Sequence, residues 1–539
     1  MVLFYIIIIF MIIDLYYKSK KSLHMLQQNL YNENNRYLKW VSKNTFLFLD
    51  FEVVALIFMA IGLFVIYDLN LYSLCAKIII LLVYIFEIFK WKNHLSNEQT
   101  KKPLVITKRV KRLLVTMTIL YLIPICLLIF NNKGVEYNWL FMLVFGLMVY
   151  FNFIVVWICK VINTPIEKCV NIYYKTKAKS KLKSMSNLKV VGITGSYGKT
   201  SSKNILADIL NIKYNTLPTP KNLNTPYGLM ITINNHLDKF TDIFIAEMGA
   251  YVCGEIKELC DFVKPKYGIL TRIGTAHLES FGSEENIQKT KFELIESLPS
   301  DGIGVLNKDD PKQVSYKLKN KVEILWIGID NKDVDVWATN IKCSNKGTSF
   351  DVIFKNDSKK YPFTTKLLGV HNVYNILASL ALGRKFGIDI SDLQASVKTV
   401  KPIEHRLELK RLGNFYMIDD AYNSNPVGAK NAVEVLSMMP GVKVIVTPGM
   451  IELGEKEDEL NEKFGEEIAE LSKADYVVLI GEEKTKPILK GLKNKGYSED
   501  KIVVYNDVKE AYNFIGGLTN GKKDVYALFE NDLPDTYNE

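Results

Sequence analysis

The sequence lacks paired cysteines. It holds seven cysteines, an odd number, which are scattered along the chain and form no C-x-x-C pair. A disulfide-stapled secreted scaffold or a cysteine zinc site needs such pairs, so neither class of protein is indicated. The cysteines are expected to stay reduced and to pack as ordinary side chains in a cytosolic or membrane setting.

Internal repeats and low-complexity tracts are also missing, and the composition is not uniform along the chain. At 539 residues the protein has room for two to four domains. Mean hydropathy is +0.06 although 23% of the residues are charged, which indicates an apolar part joined to an ordinary soluble part. The net charge of +10 is gathered between apolar stretches, so the sequence predicts no nucleic-acid partner.

Five apolar stretches at the start of the chain predict an α-helical membrane domain over residues 1–162. Each is close to the roughly twenty residues that a bilayer-spanning helix needs. They cover residues 2–17, 46–67, 71–89, 113–130 and 139–162. The first stretch lacks the basic leading region and the small-residue cleavage site of a signal peptide, so a membrane anchor is favoured.

The charge of the connecting segments sets the expected orientation. Basic residues are dense in 18–43 and 90–112, whereas Lys133 is the only one in the other two connections. Under the positive-inside rule, five helices then place the N-terminus outside the cell membrane and the rest of the chain in the cytoplasm. A basic juxtamembrane linker over residues 163–187 is expected beside anionic headgroups.

The ionisable side chains within the predicted membrane helices include Asp50, Glu52, Lys77 and Glu87. All four lie near predicted helix ends, where such side chains can extend to the headgroups. Charges near the bilayer centre would indicate a transport path. We therefore expect anchoring rather than transport.

From residue 188 the pattern changes to short apolar runs that alternate with helical periodicity. Strands are predicted at 190–194, 242–248, 267–273 and 302–307, and a helix at 201–210. Such alternation predicts a mostly parallel sheet covered by helices. The pattern restarts near residue 400, with strands at 415–418, 442–447, 476–480, 502–505 and 525–529. Two α/β domains are therefore expected, over residues 188–400 and 401–539.

A glycine-rich turn joins the first of these strands to its helix. Its sequence is Gly192-Ile-Thr-Gly195-Ser-Tyr-Gly198-Lys199-Thr200. Glycines let backbone N–H groups converge on phosphate oxygens, and the helix adds the partial positive charge of its N-terminus. Lys199 would contact a transferred phosphoryl group, and the Thr200 hydroxyl would bind magnesium. Ile193 stands where the commoner motif has its first glycine, so a turn that binds no nucleotide is the alternative.

The turn and several downstream stretches resemble the Mur ligase family, most closely the branch that adds D-alanyl-D-alanine to UDP-N-acetylmuramoyl-tripeptide (MurF-like). The stretches are 222–228, 246–250, 274–282, 289–293, 306–310, 369–375, 405–408, 418–426 and 449–455. They follow the family order over about residues 188–480. The resemblance implies a central phosphate-binding-loop (P-loop) ATPase domain and a Rossmann-like C-terminal domain.

The resemblance also implies an ATP site, position by position. The turn supplies the residues expected to bind phosphate, which are Gly195, Ser196, Tyr197, Gly198, Lys199, Thr200 and Ser201. Asn372 and Asn375 would recognise the edge of the adenine, and Arg406 and Asp420 would reach ATP from the C-terminal domain. That domain is therefore expected to close over the nucleotide.

Four residues are implied as magnesium ligands, namely Thr200, Glu247, His277 and Lys291. Glu247 supplies hard carboxylate oxygens, His277 would help to hold a second ion, and Lys291 corresponds to the lysine that the family carries as a carbamate. Taken alone, Glu247 is typical of a solvated strand end, His277 of a structural histidine and Lys291 of an exposed helix residue. With Lys199, these three form the implied catalytic group.

The resemblance implies the chemistry as well. A substrate carboxylate takes the γ-phosphoryl group of ATP to give an acyl phosphate, and an amine then attacks it to give an amide, ADP and phosphate. Lys199 and two magnesium ions would neutralise charge on the phosphoryl oxygens. The expected function is an ATP-dependent carboxylate–amine ligase of peptidoglycan precursor synthesis.

Two departures from the family leave the substrates open. Predicted membrane helices stand where the family's UDP-sugar domain belongs, so the acceptor is either a UDP-linked small molecule or a lipid-linked peptide precursor. The helices either serve a lipid-linked acceptor or only anchor the enzyme, and anchoring is favoured. At residues 529–535 an acidic stretch replaces the family's basic Lys-Gly-Ser-Arg-like loop. An acidic loop favours an amine other than D-alanyl-D-alanine, namely an amino acid, an amidated compound or ammonia. The alternative is that the stretch is only a solvated chain end, which leaves the amine open.

Two other functions remain as alternatives. An ATP-binding membrane scaffold needs the glycine-rich turn but gives no reason for five further residues to occur together, namely Glu247, His277, Lys291, Asn372 and Asp420. A folate-type polyglutamate ligase shares the ATP site, but the stretches 418–426 and 449–455 favour the muramoyl-peptide branch.

Overall fold

The computed structural model divides into two compact units, residues 1–173 and 174–539. The residues that it describes are 2–29, 31, 35–44, 51–64, 70–97, 103–130, 135–221, 223–276, 278–355, 357, 359–421, 425–451, 453, 456–519, 521 and 524–531. Asp50, the predicted metal ligand His277 and residues 532–535 of the acidic stretch therefore lie outside the described residues.

The first unit consists of helices packed through long apolar side chains. Its helices are α1 (Val2–Gln28), α2 (Arg36–Lys43), α3 (Glu52–Phe64), α4 (Asn70–Asn97), α5 (Lys108–Ile129), α6 (Val135–Tyr150) and α7 (Asn152–Ser184), whose end belongs to the second unit. α1 packs against α4 and α6, and α3 packs against the same two helices. The buried centre includes Ile7, Met11, Trp139 and Phe145.

Apolar helices lie where the sequence predicts membrane spans, but the predicted number of five is not confirmed. By length and composition, two of the described helices, α1 and α5, could cross a membrane. A third span exists only if Tyr137–Tyr150 and Asn152–Ser184 count as one, and these two segments are bent by 83°. The predicted fifth helix, 139–162, is therefore broken at Phe151 rather than continuous.

The prediction that ionisable side chains of this unit extend to the headgroups is wrong for Glu52 and Glu87. Both side chains are fully buried. Glu52 forms an ion pair with Lys18 of α1, and Oε1 of Glu87 accepts a hydrogen bond from the N–H of Phe51 at 3.0 Å. Because α1 continues to Gln28, it brings Lys18 into the packed interior, where protein groups compensate the charges.

The second unit begins with a nine-stranded sheet and its helices. The elements are β1 (Lys189–Thr194), α8 (Lys199–Leu210), β2 (Thr216–Pro218), α9 (Pro226–Asn235), β3 (Ile243–Glu247), α10 (Glu255–Val263), β4 (Tyr267–Leu270), α11 (Leu278–Phe281), α12 (Glu284–Glu296), β5 (Ile303–Asn307), α13 (Pro311–Val314), β6 (Glu323–Gly328), β7 (Val336–Ser344), β8 (Gly347–Phe354), β9 (Tyr361–Thr365), α14 (Val370–Lys385) and α15 (Ile390–Thr399). The strand order is β2-β3-β1-β4-β5-β6-β7-β8-β9, and the pairs β7–β8 and β8–β9 are antiparallel while the others are parallel. The carboxyl ends of β1, β3 and β4 therefore meet at one edge, where such sheets bind ligands.

A six-stranded sheet follows in the C-terminal domain. Its elements are β10 (Glu408–Leu412), β11 (Phe415–Asp420), α16 (Pro426–Ser437), β12 (Val442–Thr447), α17 (Glu457–Leu471), β13 (Tyr476–Ile480), α18 (Glu482–Asn494), β14 (Ile502–Tyr505), α19 (Val508–Leu518) and β15 (Val525–Glu530). The order is β10-β11-β15-β12-β13-β14, with β10–β11 antiparallel and the other pairs parallel. The last strand, β15, thus lies between β11 and β12.

The predicted alternation of strands and helices in the second unit is confirmed. Each predicted strand is present, with ends that differ by a few residues. The antiparallel strands β7 to β9 were not predicted. β7 alternates more buried with less buried residues instead of forming a continuous apolar run. Asn345 and Lys346 alone connect it to β8. Two α/β domains, one with an antiparallel extension, therefore form this unit.

Candidate active site

The glycine-rich turn is held against the end of β4. The N–H of Ser196 donates to the carbonyl of Arg272 at 2.9 Å, and the hydroxyl of Thr271 donates to the carbonyl of Tyr197 at 2.6 Å. Gly195 has a φ of +150°, and a Cβ at this position would lie 1.9 Å from the Thr271 hydroxyl oxygen. Glycine is therefore required at Gly195, and protein contacts fix the backbone of the turn.

Lys199 is the first residue of α8, and its ammonium group lies over the turn. Its Nζ donates to the carbonyl oxygens of Gly195 at 2.8 Å and Ser196 at 3.2 Å. Burial lowers the pKa of Lys199 to about 8, while the charge of Glu247 raises it and that of Arg406 lowers it. At neutral pH the side chain is still mostly cationic, as neutralisation of phosphate oxygens requires.

Lys203, which the sequence patterns do not indicate, is buried and faces Glu247 at the end of β3. Nζ of Lys203 lies 3.0 Å from Oε2 of Glu247, and both side chains are at most 2% exposed. Oε1 of the same carboxylate accepts hydrogen bonds from the Thr200 hydroxyl at 3.1 Å and the Asn224 side-chain amide at 3.2 Å. Lys203 follows Lys199 by one helical turn, and this spacing is the signal that could have indicated it.

Lys291 lies on α12 and is buried, not exposed as a lone helix lysine usually is. Its side chain is 3% exposed, and its Nζ lies 5.3 Å from the centre of the Phe281 ring. Burial lowers the pKa of Lys291 to about 7, and the positive charge of Lys199 contributes to the decrease. The two lysines therefore belong to one electrostatic site, and a large fraction of Lys291 is neutral near pH 7.

The oxygens of Thr200 and Glu247 are hard donors of the kind that magnesium prefers. In the described part of the chain, no three His, Cys, Asp or Glu side chains converge on one point. A magnesium ion held here would take most of its ligands from phosphates and water, as is usual for this ion. The donor set therefore fits magnesium bound together with a nucleotide.

Asn372 and Asn375 lie one turn apart on α14, and their side chains contact each other. Nδ2 of Asn375 donates to Oδ1 of Asn372 at 3.4 Å, and Nδ2 of Asn372 donates to the carbonyl of Leu368 at 2.8 Å. The hydroxyl of Ser202 donates to Oδ1 of Asn375 at 2.8 Å. These bonds fix Asn375 beside Gly198 of the turn.

A cavity of about 700 Å³ lies between the central and C-terminal domains of the second unit. Its walls include predicted nucleotide-binding residues of both domains, namely Tyr197, Gly198, Ser201, Asn372, Asn375, Arg406 and Asp420. A volume of this size is typical of small-molecule sites. The fold thus brings the two predicted halves of the nucleotide site together.

Arg406 is presented by a strained turn. Its neighbours His405 and Leu407 have φ angles of +60° and +48°, a conformation that costs non-glycine residues on the order of 1 kcal/mol or more each. Nδ1 of His405 lies 2.8 Å from Oδ2 of Asp419, and the N–H of Leu407 donates to Oδ1 of Asp420 at 3.1 Å. These contacts hold the turn so that Arg406 lines the cavity.

Comparison with known proteins identifies both domains. Residues 193–383 match the Mur ligase middle domain, and residues 405–528 match the family described as Mur ligase, glutamate ligase domain. The UDP-N-acetylmuramoyl-tripeptide--D-alanyl-D-alanine ligase of Bacillus subtilis is 30% identical over 346 residues, which are 64% of this chain and 72% of that enzyme. The enzyme of the same name from Escherichia coli is 32% identical over 297 residues, 55% of this chain and 65% of that enzyme.

Solved structures show the same fold. MurF from Thermotoga maritima in complex with ADP is 29% identical, with a TM-score of 0.58 over 67% of this chain and 80% of that one. MurF from Acinetobacter baumannii is 26% identical, with a TM-score of 0.60 over 67% of this chain and 78% of that one. With both domains matched and a phosphate-binding turn beside a buried carboxylate, the chain belongs to the Mur ligase family, whose members are ATP-dependent ligases that form amide bonds.

Proposed function

We propose that the chain is a ligase of peptidoglycan precursor synthesis that joins a substrate carboxylate to an amine while ATP is cleaved to ADP and phosphate. The observation that carries the proposal is the grouping of Lys199, Thr200 and Glu247 at one turn, with Lys291 coupled to Lys199 by charge. A scaffold that only binds ATP has no need of a second buried amine. The names of the two curated relatives support UDP-N-acetylmuramoyl-tripeptide as the acceptor and D-alanyl-D-alanine as the amine.

Each part of the site has its own task in this reaction. The N–H groups of the turn and of the first residues of α8 would bind phosphate oxygens. Lys199 would neutralise the phosphoryl group while the acceptor carboxylate attacks its phosphorus and ADP leaves. The amine then attacks the acyl carbon, phosphate leaves with the bonding electron pair, and the nitrogen loses a proton. Arg406 and Asp420 would bind ATP from the other wall of the cavity.

Magnesium would be held by the Thr200 hydroxyl and the Glu247 carboxylate, where it supplies positive charge to the phosphates. Oε2 of Glu247 is paired with Lys203, and the other oxygen, Oε1, lies beside the Thr200 hydroxyl. The proposal includes a second ion near Lys291, for which His277 would be a ligand.

The proposal also includes a carbamate on Lys291. In this step the neutral amine attacks carbon dioxide, an N–C bond forms, and one N–H proton is released. A pKa of about 7 makes the neutral amine available at physiological pH. The positive charge of Lys199 then stabilises the anion that forms, and the lysine becomes an oxygen ligand suited to magnesium.

We further propose that the helical unit inserts in the cell membrane with its N-terminus outside and the ligase domains in the cytoplasm. α1 and α5 contain windows with mean hydropathies of 1.9 and 2.3. On α5 a stripe of apolar side chains is exposed at helical spacing, with Val115 at 60%, Ile119 at 58% and Ile123 at 53%, as expected for contact with lipid. After alkaline carbonate extraction of membranes the full-length protein should stay in the pellet, and its release would contradict insertion.

The main experiment measures ADP release by the full-length protein in detergent with UDP-N-acetylmuramoyl-tripeptide and a panel of amines, with mass detection of the amide. A new amide that requires acceptor, amine and ATP together supports the proposal. ATP hydrolysis that is independent of any acceptor would support the scaffold alternative instead.

A parallel assay with a lipid-linked peptide precursor in the same detergent addresses the acceptor. Apolar helices on the same chain as the ligase favour testing this second acceptor. If the helical unit only anchors the enzyme, the UDP-linked acceptor should be used at least as well as the lipid-linked one. A strong preference for the lipid-linked acceptor would assign a binding role to the helices.

A further inference from the structure

The first turn of α8 carries a buried hydroxyl group to which the proposed reaction gives no task. Ser202 is buried, and it lines the cavity between the central and C-terminal domains. Its N–H donates to the carbonyl of Gly198 at 2.8 Å, as a bond of the first helical turn. Its hydroxyl donates away from α8, to Oδ1 of Asn375 on α14 at 2.8 Å. Ser202 therefore joins the phosphate-binding turn to the helix that carries the two predicted adenine-binding amides.

A backbone carbonyl fixes the direction of the hydrogen bonds between these groups. The carbonyl of Leu368 can only accept, so the atom of Asn372 that lies 2.8 Å from it is the amide nitrogen. Oδ1 of Asn372 then faces Asn375 and accepts from its Nδ2 at 3.4 Å. This leaves Oδ1 of Asn375 toward Ser202, whose hydroxyl must donate. The hydrogen bonds thus run in one direction, from the hydroxyl through both side-chain amides to the backbone carbonyl.

Each of the two amides keeps hydrogen-bonding capacity for a ligand. A side-chain amide has two N–H donors and two oxygen lone pairs. Asn372 and Asn375 each use one donor and one lone pair in these bonds, and both residues line the cavity. The remaining donor and acceptor match adenine, which offers an amino group next to a ring nitrogen that accepts. A base with a carbonyl oxygen in place of that amino group does not match.

Ser202 forms the shorter of the two hydrogen bonds that hold the side-chain amide of Asn375. Its length of 2.8 Å is ordinary, whereas the 3.4 Å between the two amides is long for an N–H···O bond. The last torsion of an asparagine side chain is soft and roughly two-fold. Without the hydroxyl, the amide of Asn375 is therefore free to turn over, which exchanges the positions of its donor and its acceptor.

We propose that Ser202 is a positioning residue that sets the base specificity of the nucleotide site, because it holds the Asn375 amide in the orientation that accepts adenine. The inference rests on the proposed function through its use of ATP. A fixed amide places its own oxygen against the carbonyl oxygen of a mismatched base, and two buried acceptors that face each other are costly. A site built on hydrogen bonds rejects a mismatched ligand for this reason.

The test titrates the full-length protein in detergent with ATP or inosine triphosphate (ITP), each with magnesium, in a calorimeter. ITP has a carbonyl in place of the amino group of adenine. S202A removes the hydroxyl, and S379A is the matched control, because Ser379 is also buried but donates to the backbone carbonyl of Asn375 at 2.9 Å. Wild type should prefer ATP. S202A should raise the Kd for ATP about tenfold and change the Kd for ITP less than about twofold, and S379A should match wild type.

N375A supplies a second readout, because it removes the amide that Ser202 holds. N375A should lose the preference for ATP, and S202A added to it should leave the ratio of the two Kd values unchanged. A further change of this ratio in the double variant would show that Ser202 acts through another group and would overturn the inference.

The other outcomes separate the inference from the proposed function, since the titration contains neither acceptor nor amine. An ATP preference that S202A keeps, or that S379A loses equally, overturns the role of Ser202. Equal affinity of wild type for ATP and ITP also overturns it and leaves the ligase function intact. Loss of both nucleotides in S202A together with a lower Tm assigns a structural role and overturns it as well. Binding of neither nucleotide to wild type overturns the proposed function itself.

Discussion

Each of the two units buries a lysine–glutamate ion pair, and the surroundings of the two pairs differ. In the catalytic unit, Lys203 and Glu247 are 1% and 2% exposed, and the carboxylate also accepts hydrogen bonds from a hydroxyl and an amide at the phosphate-binding turn. In the helical unit, Lys18 and Glu52 are 6% and 0% exposed.

The neighbours of Lys18 are of another kind. Asp14 lies 3.5 Å from its Nζ one helical turn away, and the ring of Trp91 lies 5.9 Å away. No glycine-rich turn and no strand edge is next to this pair among the described residues of the helical unit. Burial of a charge therefore does not indicate a catalytic site by itself. The groups that accompany the pair decide whether it serves chemistry or helix packing.

We expect the largest loss of activity when the ammonium group of Lys199 in the catalytic unit is removed. Lys199→Ala removes the charge that lies over the phosphate-binding turn, so acceptor-dependent ADP release should fall by about a thousandfold or more. The exposed Lys398 of α15 provides the control, and Lys398→Ala should keep wild-type turnover. Wild-type ADP release in Lys199→Ala would show that the turn is not the site of phosphoryl transfer.

Lys291 should give the next largest effect and a defined pH dependence. Lys291→Ala is expected to reduce turnover by about a hundredfold. In the wild type, the amine is protonated below its pKa of about 7 and neutral above it, so a carbamate signal from isotope-labelled bicarbonate should increase as the pH rises through about 7. NMR of the labelled carbon measures this signal. A signal that does not change with pH, or that persists in Lys291→Ala, would contradict the carbamate.

Lys203→Met tests the catalytic ion pair directly. Removal of the lysine leaves Glu247 buried without compensation, which should destabilise the protein by about 3–5 kcal/mol and reduce magnesium affinity about tenfold. Thermal unfolding and the magnesium dependence of ADP release measure the two effects. The double variant with Glu247→Gln should recover part of the lost stability, and failure to do so would mean that the pair is not coupled.

The matching change in the helical unit should have the smallest effect on turnover. Lys18→Met should lower the Tm in detergent because it removes the buried cation that pairs with Glu52 and Asp14. The KM for ATP and the rate of ADP release should stay at wild-type values in the surviving folded protein. Lys20→Met on the exposed side of α1 is the control for stability. A loss of magnesium affinity in Lys18→Met equal to that expected for Lys203→Met would remove the distinction between the two pairs.

The part of the site that lies in the central domain could be predicted from local sequence motifs. The strand, the turn and Lys199 are contiguous, so their proximity does not depend on the fold, and the family prediction built on them is confirmed. Asn372 and Arg406 are far apart in sequence, and the resemblance alone placed them at one site. The structure brings both to the walls of one cavity. Their contacts with a nucleotide stay predictions.

Other features depended on register and packing, which the sequence does not display. Lys203 was missed because a lysine on a helix is usually solvated, and its burial follows from the position of Glu247 on β3. The sequence places Glu530 in an acidic stretch that is either a loop facing the amine or a solvated chain end, whereas Glu530 is the buried last residue of a central strand. The break at Phe151 was missed because the segments on its two sides, taken together, are apolar enough for a membrane span. The five-span topology stays a prediction.

The end of α7 determines where the catalytic part of the chain can be separated. Residues 174–184 belong to the second unit. Nζ of Lys181 donates to the carbonyl of Ile233 at 3.0 Å, and Ala178 is fully buried in the apolar core of the central domain. A truncation that starts at residue 185 would therefore remove the end of α7 and expose an apolar surface of the central domain that is prone to aggregation. A fragment that starts near residue 174 keeps the cover, and limited proteolysis should stop at that boundary.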